Sequence, residues 1–216
     1  FGREAIIVSD LSPLIVPRYH NRDNIDHFAN RIRHDIESSD HIFCISEATR
    51  RDVMAYFDKP LDQMSVVRLG AELSPADVTA GMIALRGEAA EPYIVILGTL
   101  EPRKNGSVIF EYLTRNPAFA SRYRIVFIGR DGWLDEKKRL LERVEKSGVS
   151  ADRFLFTGFV SESEKVALLL NCAFSVYPSF FEGFGLPVLE AAALGKLTVC
   201  SNSSSMPEVS PADCVF

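Results

Sequence analysis

Several features are scarce in this 216-residue chain, and each scarcity excludes something. There are four cysteines, Cys44, Cys172, Cys200 and Cys214, spread far apart and with no C-x-x-C pair. Such spacing argues against a disulfide scaffold or a thiolate metal site. Three of the four sit in apolar, strand-like runs, as buried thiols of a reducing compartment do. No run approaches the roughly 18 apolar residues of a membrane-crossing helix, and no secretory leader pattern is present. Positive charge is also short: 24 Lys and Arg against 29 Asp and Glu give a net charge of −5. That balance argues against a general nucleic-acid binder, because phosphate backbones select basic surfaces, and leaves room for a local basic pocket. Repeats and low-complexity segments are missing too.

What is present is ordinary globular material, 47% hydrophobic and 25% charged, enough for one or two domains with a buried core. The chain opens on Phe1, with the apolar run Ala5-Ile6-Ile7-Val8 almost at once, and stops at Cys214-Val215-Phe216, which reads as a strand just beginning. These ends are those expected of a piece of a longer protein, cut within a domain on both sides.

Between them, short apolar runs alternate with helical patterns. Runs at 5–8, 41–45, 64–67, 94–97, 124–128, 154–156, 173–177 and 197–200 read as strands. Ile25, Phe28, Ile32 and Ile36 recur at three- and four-residue steps, the mark of an amphipathic helix. Ser46 caps a helix through Phe57, helices are expected from Asn105 and Leu134, and Ser161 with Glu164 forms a capping box. Strand–helix alternation predicts an α/β fold with parallel, doubly wound sheets. The pattern loosens from Ala71 to Pro92, apart from a helical turn or two at Val78 to Leu85, which predicts a domain at 1–70, a linker at 71–92 and a second domain at 93–216.

Ligands of such sheets lie where loops leave the carboxyl ends of strands. Three loops there carry candidate chemistry. Gly98 to Asn105 places Arg103 and Lys104 side by side before a helix, a fork and a point charge suited to phosphate, or simply an exposed basic pair. Gly158-Phe159-Val160 offers backbone groups and apolar surface, or a plain turn. Phe180 to Gly195 carries the densest signal. Gly183 and Gly185 loosen a loop, Pro187 suits a helix start, Gly195 suits its left-handed stop, and Glu182 and Glu190 flank the turn. Free amides at the helix start favour an anion. From the residues alone, a ligand loop and an ordinary tight turn stand equally open.

The string Glu182-Gly183-Phe184-Gly185-Leu186-Pro187 followed by Glu190 resembles the E-x7-E signature of retaining glycosyltransferases of family 4. The resemblance covers nearly the whole chain and is strongest at 98–105, 158–160 and 177–209. It implies the GT-B fold, two Rossmann-like parallel-sheet domains, the first incomplete and the second truncated near its C-terminus. It implies a sugar moved from a GDP- or UDP-linked donor to a glycan or lipid-linked acceptor with retained configuration. Gly129 to Trp133 resembles the equivalent turn of lipopolysaccharide or exopolysaccharide mannosyltransferases, which puts GDP-mannose first.

By the same resemblance, Glu182, Arg103 and Lys104 are the catalytic group. Arg103 and Lys104 hold the diphosphate without a metal or other cofactor, and Glu182 meets hydroxyls of the transferred sugar. The amides around Gly183, Phe184, Gly185 and Leu186 face sugar and phosphate, Glu190 binds the ribose and Val160 meets the base. The implied setting is cytoplasmic, with the parent protein able to lie at the inner face of the membrane. One departure stands out: many members read His-Asp-Leu where this chain reads Ser9-Asp10-Leu11. That keeps open a non-catalytic GT-B subunit, beside a phosphorylase or epimerase relative. With much of the acceptor side absent, the isolated chain is expected to be inactive.

Overall fold

The apolar runs become two parallel sheets in a computed structural model that describes residues 2–84, 91–212 and 214–215. In the first, β1 (Ala5–Val8), β2 (His41–Cys44) and β3 (Met64–Val66) lie in that order, with Ala5 opposite His41 and Val8 opposite Cys44. Three helices accompany it, α1 (Ser12–Ile15), α2 (Arg22–Ser38) and α3 (Glu47–Phe57). The Asn21 side chain caps α2 by accepting from the Asn24 amide, and Ser46 caps α3 by accepting from that of Thr49. The expected stripe of α2 does its work: Ile36 is fully buried and Phe28 and Ile32 pack beside it, against Val8, Ile42, Cys44 and Val53.

The stretch expected to connect the two domains, 71–92, holds a ten-residue helix, α4 (Pro75–Ala84); residues 85–90 of it lie outside the described residues. This helix lies on α8 (Glu162–Asn171). A Cβ built on Gly81 would sit 3.0 Å from Leu170 Cδ1, so the missing side chain is what lets the two helices approach.

The second sheet contains β4 (Tyr93–Leu97), β5 (Arg124–Ile128), β6 (Phe154–Phe156), β7 (Phe174–Tyr177) and β8 (Thr198–Cys200), all parallel, in the order β6-β5-β4-β7-β8. Its helices are α5 (Val108–Arg115), α6 (Pro117–Arg122), α7 (Glu136–Ser147), α8, α9 (Leu186–Ala193) and α10 (Met206–Val209). Alternation along β4 splits the core. Ile94 and Ile96 face Phe110, Phe127, Leu140 and Phe154, while Val95 faces Val126, Leu169 and Ala191 on the other side. The sheet is thus covered on both faces, as parallel sheets are. Beyond β8, Val215 bridges in parallel to Val199, where a further strand was expected; Phe216 lies outside the described residues. Among the described residues no helix is long and apolar enough to cross a membrane.

Two helices start later than their periodicity suggests. Asn105 adopts φ 53° and closes a tight turn at Pro102–Lys104, so α5 begins at Val108. Leu134 and Asp135 are also left-handed, at φ 58° and 53°, which delays α7 to Glu136.

The two units meet edge to edge. Glu208 of α10 accepts hydrogen bonds from the amides of Glu47 and Ala48, both at 2.9 Å, and so caps α3 from across the junction. Tyr19 stacks on Phe180 with ring centroids 4.8 Å apart, and Trp133 Nε1 donates to the Tyr19 carbonyl at 2.7 Å. Gly183 is pressed against the loop after β1: a Cβ there would lie 2.1 Å from the Ser9 carbonyl oxygen.

Two outcomes follow for stability. Removing the capping carboxylate with Glu208→Ala should lower the unfolding free energy by about 1–2 kcal/mol. Urea denaturation checks it, and an unchanged midpoint and slope would refute the capping role. Asp52 on α3 gives a pH test: burial pushes its carboxyl up to about 6, with Arg51 opposing and Asp10 adding to the rise. An ionised Asp52 therefore costs stability above that pH, and costs nothing below about pH 4, where both folded and unfolded forms are protonated. Asp52→Asn should raise the melting temperature at pH 8, with the gain fading as the pH falls from 6 to 4.

Candidate functional site

Strand order reverses between β4 and β7, since the chain runs outward from β4 through β5 to β6, then returns to β7 and continues to β8. A crevice opens outside the carboxyl ends at such a switch point. The loops that leave β4 and β7 therefore lie side by side, and hydrogen bonds stitch them together. Phe180 N donates to the Arg103 carbonyl at 2.9 Å, and Asn105 Nδ2 donates to that of Pro178 at 3.1 Å.

Four charged groups fill the seam. Glu182 is buried; its Oε1 accepts from Lys104 Nζ at 2.7 Å and its Oε2 from Arg103 Nη1 at 3.0 Å. Arg103 Nη1 also donates to the Phe181 carbonyl at 2.6 Å, and Nη2 donates to Glu101, which is only 2% exposed. Lys104 Nζ completes its set with the Tyr177 hydroxyl at 2.7 Å. Burial works to raise the Glu182 carboxyl, but Lys104 and Arg103 outweigh it and hold it below the usual carboxylate range. Burial pushes the Glu101 carboxyl up, and Arg103 and Lys104 offset only part of that rise. Tyr177 is pushed well up by burial and by the Glu182 charge, so its hydroxyl keeps its proton.

Placement distinguishes the two cations. The fork of Arg103 is already spent on two carboxylates and a carbonyl, and its Nε is buried with no partner among the described residues. Arg103 thus rivets the β4 loop to the β7 loop. Lys104 is the cation whose flexible stem can exchange partners. Glu101 was not among the residues expected from sequence, although an acid two positions before an arginine was the available signal.

The glycines hold the loop that follows. Gly185 sits at φ 104° and leads directly into α9. Behind this loop, Ser205 Oγ bonds the carbonyls of Glu182 and Phe184 at 2.9 and 2.8 Å, and Ser204 Oγ accepts from the Glu182 amide. The serine run after β8 is thus a buttress, a role that sequence reading left unassigned. Phe184 is buried in the same loop. Glu190 and Val160 belong to a separate flank. Val160 packs beside Val95 and Leu169, and Glu190 pairs with Lys165 across α8 and α9.

From the first unit, Asp10 accepts from the Ser12 amide at 2.7 Å and sits against Gly183, while the side chain of Ser9 brings no imidazole. His20 brings one instead, stacked near Trp133. Burial, then the Arg103 charge, hold it below the usual histidine range against the opposite pull of Asp10, so it is neutral at pH 7. Its Nε2 is buried with no partner among the described residues. Among the described residues no cluster of His, Cys, Asp or Glu is arranged to hold a metal ion.

Comparison with known proteins agrees with this architecture. The family model for glycosyl transferases group 1 matches residues 85–211. The chain is 30% identical over 206 residues to O-antigen chain mannosyltransferase B of Escherichia coli, covering 93% of this chain and 53% of that protein. It is 33% identical over 210 residues to the serotype-specific mannosyltransferase WbdA of Escherichia coli, covering 94% of this chain and 26% of the relative. The chain therefore spans about half or less of the curated relatives it matches. Among solved structures, Anabaena Alr3699/HepE in complex with UDP and glucose superposes with a TM-score of 0.71 at 19% identity, over 94% of this chain and 54% of that one. WaaG, a glycosyltransferase involved in lipopolysaccharide biosynthesis, gives 0.73 at 12% identity, over 96% and 59%. These likenesses identify the fold as GT-B. The chain belongs to the glycosyl transferases group 1 family.

Proposed function

We propose that the parent protein is a retaining hexosyltransferase of polysaccharide or glycoconjugate assembly. It takes mannose, as first candidate, from a nucleotide-diphosphate sugar and places it on a hydroxyl of a glycan or lipid-linked acceptor. The observation that carries this reading is Glu182 held by Lys104 and Arg103 at the β4/β7 switch, beside the start of α9. Mannose is supported by relatives that bear the name mannosyltransferase, and a nucleotide-sugar donor by the HepE structures with UDP-glucose and UDP.

Both oxygens of Glu182 are engaged before any donor arrives. Donor entry would draw Lys104 from the carboxylate to the diphosphate and free an oxygen for a sugar hydroxyl. Amides of Gly183 to Leu186 would complete the phosphate cradle, with Glu190 at the ribose and Val160 at the base. The bond between the anomeric carbon and the phosphate oxygen then breaks, leaving its electron pair on the phosphate. The acceptor oxygen bonds to the same face, and its proton passes to the departing phosphate oxygen. Lys104 and Arg103 offset the charge that grows there, with no metal required. The proposed setting is the cytoplasm, from which the parent protein is able to reach the inner membrane face. The activity is assigned to the whole protein, and the isolated chain is expected to bind donor without turnover.

A second reading, a GT-B subunit that binds without transfer, draws on Ser9 in place of the family's histidine. Transfer of labelled mannose by the whole protein separates the two.

Calorimetric titration of the chain with GDP, UDP and GDP-mannose tests the site itself. Lys104→Ala should weaken all binding by about tenfold, the loss of one charge-assisted bond. Glu182→Gln should abolish the advantage of GDP-mannose over GDP, while GDP itself binds as well or better once the competing carboxylate is gone. Absence of binding by either nucleotide would overturn the assignment.

A further inference from the structure

A second ion pair lies on the flank formed by α8 and α9. Lys165 is one turn into α8, and its Nζ donates to Glu190 Oε1 at 2.9 Å and to Glu162 Oε2 at 2.7 Å. The two bonds differ in surroundings. The side chain of Glu162 is 67% exposed, so its pair with Lys165 is an ordinary surface contact worth little. Lys165 and Glu190 are shielded, at 14% and 16%. A charge-assisted bond in that environment fixes orientation as well as charge.

The backbone carrying Lys165 is fixed as well. The capping box of Ser161 and Glu164 sets the first turn of α8, and Lys165 N donates to the Ser161 carbonyl at 2.9 Å. Val160, immediately before the box, packs into the apolar layer under the sheet. Glu190 is itself one turn into α9, the helix opened by the Gly185 loop. Its Oε1 is taken by Lys165, whereas its Oε2 accepts no hydrogen bond among the described residues. A shielded carboxylate with one oxygen pinned and the other open is arranged to accept from a ligand.

We propose that Lys165 is a positioning residue for nucleotide recognition: by holding Glu190 Oε1, it fixes the orientation of the carboxylate and presents the open Oε2 to the hydroxyls of the nucleotide's ribose. The pair thereby discriminates ribose from 2′-deoxyribose. The inference rests on the donor-site reading above and adds a residue to it. Burial alone would lower the Lys165 ammonium, but Glu162 and Glu190 raise it further, so the lysine stays charged throughout the neutral range. Pre-orienting one oxygen removes an ordering cost that the ligand would otherwise meet on binding.

The test uses the whole chain and calorimetry with GDP or UDP, whichever binds more tightly, and with its 2′-deoxy counterpart. Lys165→Met should weaken the ribonucleotide by about five- to tenfold and leave the 2′-deoxynucleotide nearly unchanged, so that the ratio between them collapses. Lys165→Arg should restore most of the ratio, and Glu162→Ala should leave it intact. On a Glu190→Ala background, Lys165→Met should add nothing. If Lys165→Met weakens both nucleotides equally, or neither, while Glu190→Ala collapses the ratio, the role of Lys165 is refuted and the donor site stands. If Glu190→Ala leaves ribonucleotide binding unchanged, or nothing binds the unmodified chain, the donor-site reading fails and takes this inference with it. Should Lys165→Met unfold at the assay temperature, Lys165→Gln reads the same ratio.

Discussion

Glu182 is a carboxylate out of water, and two cations from a neighbouring loop keep it there in charged form. Taking three charges and a fourth, Glu101, into one seam costs several kcal/mol per ion in desolvation, which only good geometry offsets. The surrounding structure supplies that geometry. The switch in strand order brings the β4 and β7 loops together, Phe180 and Asn105 tie them by backbone carbonyls, and the serines after β8 hold Glu182 from behind. Loss of any one member leaves its neighbours buried with one partner fewer, so each loop depends on the other.

The glycines translate this unit into a junction. Gly185 turns the chain into α9 in a conformation closed to most side chains, and Gly183 lets the loop lie directly on the Ser9 carbonyl. Position 183 thus senses both units at once. Nearby, Thr49 Oγ1 lies 3.3 Å from the Ser9 carbonyl and 3.4 Å from that of Gly183, a short bridge between the carboxyl edges of the two sheets.

Much of this was legible in the sequence because it is local. Strand runs, the stripe of α2, the Ser46 cap and the Ser161–Glu164 capping box depend on residues within a turn or two of one another. The glycine-glutamate string was legible too, since its spacing is specific as a whole. What escaped depends on long-range packing. Nothing near Glu208 says that it caps a helix 160 residues away, and nothing near Lys165 names Glu190 as its partner. The late starts of α5 and α7 arise from left-handed residues, Asn105, Leu134 and Asp135, which helical periodicity does not register. The helical turn or two expected within 71–92 is longer in the structure, because α4 finds a groove on α8, where the small Gly81 decides the fit.

The Glu208 cap has a consequence for motion. Each tie named across the junction is polar or aromatic: a carboxylate on two amides, an indole N–H on a carbonyl, one ring on another. When the halves part, water can satisfy the carboxylate, the amides, the indole and the carbonyl, so separation leaves few groups stranded. Such a seam behaves as a wet fastener: firm enough to set one closed geometry, yet reopened at small cost. Modest, largely polar interfaces of this kind let domains move by default. The proposed exchange of donor for product in this crevice would be poorly served by a joint welded with buried aliphatic side chains.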